Sequence, residues 1–202
     1  MESRIYLASR SPRRRELLNQ IGVRFDLLLF RAGARSDAQI DETPLPGESA
    51  DDYVVRVARA KASHGASLLL VRHLPQRPVL SADTTLDLDG EIIGKPEDEA
   101  HAREILRRLS GATHRVLTAV AVADGGQLLH DVSISEVRFR VLDDAEIRRY
   151  VSSGEPMDKA GAYGIQGRAA MFVAEIRGSH SGIVGLPLCE TTQLLRRFNY
   201  SL

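Results

Sequence analysis

The chain has 202 residues, enough to bury a full core as a single domain over 1–202. Lys plus Arg and Asp plus Glu both total 27, so the formal net charge is zero; bulk electrostatic attraction to nucleic acid or an anionic membrane is not indicated, no nucleic-acid partner is expected, and any anion site has to be local. Apolar runs such as Leu68-Leu69-Leu70-Val71 are too short to span a bilayer and the first residues lack a signal peptide's apolar core, so no membrane partner and a cytoplasmic location are expected.

Residues 4–8 read as a short strand, followed at once by Ser9-Arg10-Ser11-Pro12-Arg13-Arg14-Arg15-Glu16. Ser11 suits an N-cap and Pro12 the first helical turn, which leaves the amides of Arg13 and Arg14 free. Those amides, the positive end of the helix dipole, two hydroxyls and up to three guanidiniums converge as a polyphosphate requires. A charge run alone reads as a solvated helix face; the Ser-x-Ser-Pro cap is what argues for a site. Leu17, Leu18 and Ile21 give this helix an apolar face and Gly22 ends it. Residues 25–30 read as a second strand and 31–47 as a polar loop, in which Asp41 and Glu42 are candidate carboxylates for a divalent ion. A helix is predicted over 51–64, with Val54, Val57, Ala58 and Lys61 on one face. A lysine on an apolar stripe needs a partner for its ammonium, and a phosphate oxygen is one.

Residues 79–82 read as a strand with Asp83 at its end, followed by Thr84 and Thr85. A carboxylate at the carboxyl end of a strand can hold a metal or activate water, though Asp-Thr-Thr also fits a capped turn. Residues 86–88 and 91–93 form a hairpin around Asp89-Gly90, and the loop cation Lys95 precedes a helix opening at Pro96 with the stripe Ala102, Ile105, Leu106 and Leu109. Long strands over 115–123 and 128–141 pair through Asp124-Gly125-Gly126, and a helix covers 143–151. In the loop 155–167, Gly161, Gly164 and Gly167 allow close approach of a planar ligand, and the Gln166 amide offers a donor and an acceptor to the edge of a base. A strand over 170–176 and a helix from about 190 close the chain; the single cysteine, Cys189, excludes a disulfide framework or cysteine zinc site and is expected to be a small buried hydrophobe. The histidines show no metal-ligand spacing.

Taken together, LASRSPRRRELL, the pair Asp41-Glu42, VVRVARAKA around Lys61, SADT around Asp83, GKP at Lys95, DKAGAYGIQG around Gln166 and IVGLPLCET resemble the Maf family, in order and almost end to end. The resemblance implies a nucleoside triphosphate pyrophosphatase of mixed α/β fold, an elongated two-lobed sheet flanked by helices and related to the inosine triphosphate pyrophosphatases. It also implies a cytoplasmic homodimer that depends on a divalent cation, Mg²⁺, Mn²⁺ or Co²⁺. Carried over by motif, Asp83 is the catalytic carboxylate and a metal ligand, Glu42 assists at the metal, and Ser9, Ser11, Arg14, Lys61 and Lys95 surround the triphosphate. Arg13, Thr84 and Gln166 match positions that distinguish the family's branches, and their combination resembles the branch acting on dTTP and UTP, with modified pyrimidine nucleotides as further candidates, in house-cleaning of the nucleotide pool. Two residues depart from the pattern: Arg10 stands where a smaller residue is usual, and Ser81 where glycine is common. The expected reaction is in-line attack on the α-phosphorus by metal-bound water oriented by Asp83, with the charge on departing pyrophosphate met by Arg14, Lys61, Lys95 and the metal. The alternatives are the same chemistry on another base, such as 7-methyl-GTP, or a non-catalytic nucleotide-binding regulator of septum formation. A regulator needs the cations but not the carboxylates Asp83 and Glu42.

Overall fold

The computed structural model describes residues 4–31 and 40–200, so residues 32–39 of the loop expected over 31–47 lie outside the described residues. Ile5–Leu7 forms the fully buried strand β1. Pro12–Gln20 forms helix α1, capped by Ser11 from extended backbone with Pro12 in the first turn, as the Ser-Pro pair predicts. The Arg14 amide is not free, however, because the Ser11 hydroxyl accepts from it at 3.5 Å. Gly22, at φ 72°, turns the chain into β2, Phe25–Leu27, shorter than expected.

Helix α2, Ala50–Val71, is capped by Ser49 and runs on past residue 64. Ala50, Val54, Ala58 and Ala62 bury against Leu117, Ala119, Ala121 and Ala123. Small side chains on both sides bring helix and sheet close, and at Gly65 a Cβ would lie 2.7 Å from Val79 Cγ1, so that helical glycine is required by packing.

The chief departure is β3, which spans Val79–Leu88 without interruption instead of stopping at residue 82. The polar run Ser81-Ala82-Asp83-Thr84-Thr85 reads locally as a turn, but tertiary partners satisfy its side chains: the buried Ser81 hydroxyl donates to the Ala58 carbonyl of α2 at 2.7 Å. Ser81 thereby ties the strand to the helix. Asp89 (φ 54°) and Gly90 (φ 86°) then turn the chain into β4, Glu91–Ile93, as predicted.

Helix α3, Glu99–Leu109, begins three residues beyond Pro96, because Asp98 caps it by accepting from the His101 amide at 2.7 Å. The Gly94 carbonyl meanwhile accepts from the Gly161 amide, holding the connection to the later loop. The stripe Ala102, Ile105, Leu106 and Leu109 is buried as expected. Strands β5, Thr113–Asp124, and β6, Gln127–Phe139, pair throughout, and helix α4, Asp144–Val151, is opened by a capping box of Asp143 and Glu146. Three short 3₁₀ turns, Glu155–Asp158, Ala160–Ala162 and Arg168–Phe172, precede β7, Val173–Arg177. Helices α5, His180–Val184, and α6, Leu188–Arg196, complete the described chain. Cys189 is exposed, against expectation: the buried face of α6 is Thr191, Leu194 and Leu195, and Cys189 lies two residues before Thr191, about 200° round the helix.

The seven strands form one mixed sheet in the order β2-β1-β3-β5-β6-β7, with β4 beside the far end of β3. β1 is parallel to β2 and β3, and the other pairs are antiparallel. Helices flank the sheet, the mixed α/β class that the sequence predicts. Phe139, Tyr150, Tyr163, Phe172 and His114 meet edge to face and pack the 3₁₀ segment onto the sheet. Among the described residues no helix is long and apolar enough to cross a membrane.

Candidate active site

On one side β3 pairs with β1 only at Val79 and Leu80, and with β4 only from Leu86 on. Residues 81–85 therefore have a strand neighbour on one side alone, β5, and the missing neighbour opens the sheet into a cleft of about 1160 Å³. Asp83 lies in this gap, in the middle of a strand, and not at a strand end as the sequence reading has it. The carboxyl end that borders the gap belongs to β1, where the Ala8 amide donates to the Leu80 carbonyl at 2.8 Å. Because side chains alternate along β3, Ser81 and Asp83 face α2 while Thr84 faces the opposite side; the gap exposes both faces to one cleft.

On the α2 side, Lys61 Nζ donates to Asp83 Oδ1 at 2.8 Å and lies 2.9 Å from Glu42 Oε1. The Lys61 and Asp83 side chains are 14% and 9% exposed and Glu42 50%, so a shielded pair is met by a carboxylate from the open side. The ammonium predicted to need a partner finds two carboxylates. Asp41 turns away: its Oδ1 accepts from the Thr43 amide at 2.8 Å, which pulls its carboxyl below the usual range. Tyr53, one residue before the predicted helical stripe, lines the cleft and donates its hydroxyl to the Glu42 carbonyl at 2.9 Å. Burial, with the nearby Asp83 and Glu42 charges, pushes that hydroxyl up to about 12. Asp83 and Glu42 fit a divalent cation, since two carboxylates converging on one positive group are what such an ion takes when water and phosphate oxygens complete its shell.

On the other face Arg14 is held from three directions. Its Nε donates to the Gly185 carbonyl at 2.8 Å, Nη1 to Ser9 Oγ at 3.2 Å and Nη2 to Thr84 Oγ1 at 3.2 Å. Burial lowers its pKa from the ordinary value, which Asp83 opposes, and a guanidinium stays charged regardless. Thr118 Oγ1 donates to the Gly182 carbonyl at 2.8 Å, so in the 2.9 Å contact between the two threonines it is Thr84 that donates. The chain of donors thus runs from Arg14 through Thr84 and Thr118 to α5. Ser9 Oγ also accepts from the Ser11 amide at 3.2 Å, while Arg10 turns its guanidinium to the Phe30 carbonyl.

Arg13 Nη1 lies 4.0 Å from Asp158 Oδ2 across the cleft, and Lys95 and Gln166 line it as exposed side chains. The glycines around Gln166 answer to protein atoms. A Cβ at Gly164 would lie 2.8 Å from Lys159 Cε, and one at Gly167 would overlap the Glu155 carboxylate. Glu155 Oε1 accepts from the Tyr150 hydroxyl at 3.0 Å and Oε2 from the Arg168 amide at 3.1 Å, so this loop is wrapped around a half-buried carboxylate. Ser9, Ser11, Arg13, Arg14, Glu42, Lys61, Asp83, Thr84, Lys95 and Gln166 all line the one cleft. Sequence reasoning missed Tyr53, Thr118, Glu155 and Gly185; of these only Gly185 had a visible signal, its place in IVGLPLCET.

The model of the family described as Maf-like protein matches residues 4–198. A Dechloromonas aromatica (strain RCB) protein named dTTP/UTP pyrophosphatase is 64% identical over 98% of this chain and 98% of its own length. Proteins of the same name from Aromatoleum aromaticum and Ralstonia nicotianae are 64% and 59% identical, over 100% and 95% of this chain and 98% and 92% of theirs. Among solved structures, that of the Staphylococcus aureus Ham1 protein is similar at a TM-score of 0.47 and 15% identity, over 68% of this chain and 72% of that one.

Proposed function

The chain belongs to the Maf-like protein family, and on that premise we propose that it is a nucleoside triphosphate pyrophosphatase that hydrolyses dTTP and UTP to the monophosphate and pyrophosphate. Relatives of that name, matched along nearly their whole length, support the substrate. The observation that carries the chemistry is Asp83, standing in the gap of the sheet with Lys61 and Glu42 on one side and Arg14 within reach of its charge on the other. We read the chain as one domain over 1–202 and as a cytoplasmic homodimer.

Asp83 orients the attacking water and takes its proton as the water oxygen bonds to the α-phosphorus and the bond to the β-phosphate bridging oxygen breaks. Asp83 and Glu42 would hold a divalent cation, Mg²⁺, Mn²⁺ or Co²⁺, which would supply Lewis-acid polarisation of the phosphates. Lys61 donates one N–H to Asp83 and pairs by charge with Glu42, and a remaining N–H serves a phosphate oxygen. Ser9, Ser11, Arg14 and Lys95 hold the remaining phosphates, and the cations meet the charge that gathers on pyrophosphate as it leaves. Arg13, Thr84 and Gln166 set the choice of base, and the Thr84 hydroxyl also holds Arg14 and meets Thr118.

Pyrophosphate release from dTTP, UTP, CTP, dATP, GTP and 7-methyl-GTP, with Mg²⁺, Mn²⁺ or EDTA, tests the reading. Release from dTTP and UTP, abolished by EDTA, is expected. Asp83→Asn should lower turnover by about 10³-fold while nucleotide binding persists; a parental rate in that variant would remove Asp83 from the chemistry.

A further inference from the structure

Glu42 reaches the cleft from a stretch without helix or strand, yet its main chain is tied to α2. Three consecutive carbonyls are taken by two side chains of that helix: Arg56 Nη1 donates to Asp41 O at 3.1 Å, the Tyr53 hydroxyl to Glu42 O at 2.9 Å, and Arg56 Nη2 to Thr43 O at 3.0 Å. Tyr53 and Arg56 are three residues apart and so neighbours on one helix face, with the guanidinium carbon 5.5 Å from the centre of the tyrosine ring. Arg56 is itself fixed by a bidentate pair, Nε to Glu48 Oε1 at 2.6 Å and Nη2 to Glu48 Oε2 at 2.8 Å. The same Glu48 oxygen accepts from the Leu45 amide at 2.9 Å, which closes the stretch on itself. Lys61, which meets the Glu42 carboxylate, comes from the same helix. One rigid element therefore holds both the backbone and the side chain of Glu42, and every hydrogen bond of the Arg56 guanidinium among the described residues goes to residues 41–48.

We propose that Tyr53 and Arg56 are positioning residues that present Glu42 to the divalent cation. The inference rests on the reading of Glu42 as a metal carboxylate. It makes the affinity for the ion, rather than for the nucleotide, the quantity these two side chains set. Residues that orient a ligand without touching the metal commonly alter affinity by about 10–100-fold.

The test compares Arg56→Gln, Tyr53→Phe and Glu42→Gln with the parent. Mn²⁺ alone is titrated and its free signal followed by electron paramagnetic resonance, alongside hydrogen exchange of residues 41–48 and the KM for dTTP at saturating Mg²⁺. Arg56→Gln should weaken Mn²⁺ binding by about ten-fold and Tyr53→Phe by less, with faster exchange confined to 41–48 and KM little changed. A purely structural role would lower the active fraction and leave the Mn²⁺ constant of that fraction alone. If Glu42→Gln weakens Mn²⁺ binding and neither helix variant does, the positioning inference is overturned while the reading of Glu42 stands. If the parent takes up no Mn²⁺ or Glu42→Gln binds it like the parent, both fall. Tyr53→Phe removes a single hydroxyl and keeps the test open should Arg56→Gln not fold.

Discussion

His114 is 2% exposed, its Nε2 is 2.8 Å from the Tyr163 hydroxyl, and Phe139 meets its ring edge to face. Burial pulls its pKa down from 6.5 to about 4, while burial pushes the Tyr163 hydroxyl up, so a neutral imidazole and a protonated phenol share this bond at neutral pH. The unfolded chain takes up the His114 proton below about pH 6.5 and the folded chain only below about pH 4. Stability contributed by the neutral ring is therefore complete above pH 6.5 and lost as pH falls through that window, by about 3 kcal/mol at most. Denaturant unfolding of the parent and His114→Gln between pH 4 and 7 checks this: the variant should be less stable at pH 7 and its stability flatter across the window. Equal slopes would mean that His114 does not titrate differently in the two states. Arg14 and Lys61 follow the same physical rule in another form, since each shielded cation is matched by named oxygens.

The segment from Glu155 to Phe172 places Gln166, and its order comes from a carboxylate, two aromatic hydroxyls and a set of close approaches. Gly167 has φ −100°, open to any residue, so what excludes a side chain there is the Glu155 carboxylate and not the backbone. Gly167→Ala should displace that carboxylate from the Tyr150 hydroxyl and the Arg168 amide, at a cost of about 1–3 kcal/mol. Because Gln166 is the next residue, KM for dTTP should rise more than kcat falls. Steady-state kinetics with an unfolding curve would show it, and parental kinetics at reduced stability would separate the loop's order from its function. At Gly164 the flexible Lys159 side chain is the neighbour, and it can move aside at lower cost.

Across the whole molecule, a neutral chain concentrates cations at one cleft whose walls come from distant stretches: the β1–α1 turn, the start of α2, the gap in β3, the 155–168 segment and the end of α5. A nucleotide touching all of them binds only the assembled fold. In Asp83→Asn, where dTTP persists, nucleotide at a hundred times its dissociation constant should add about 2.7 kcal/mol, or about 5–10 °C to the unfolding midpoint for a chain of this size. Hydrogen exchange should slow at 9–14, 81–85, 160–167 and 183–185 together. Protection confined to one wall would show that the ligand does not bridge the cleft.

The strand-helix alternation, the Ser11 cap, the Asp89-Gly90 and Gly125-Gly126 turns and the stripe of α3 were legible because each depends on neighbours in the chain. The candidate residues Ser9, Arg14, Lys61 and Asp83 were legible for a related reason: a cap beside arginines, a lysine on an apolar stripe and a carboxylate after apolar residues are local anomalies. The course of β3 through Ser81–Thr85 was not, since α2, β5 and Arg14 satisfy those polar side chains from far along the chain, and local propensity reads them as a turn. The hold of Tyr53 and Arg56 on 41–43, the carbonyl of Gly185 under Arg14 and the carboxylate of Glu155 inside its loop were decided in the same way. Sequence alone determined which groups the site contains, through their chemistry and local spacing; only the tertiary structure decided which oxygen each cation meets, because those partners are set by the gap between β1 and β4 in the folded sheet.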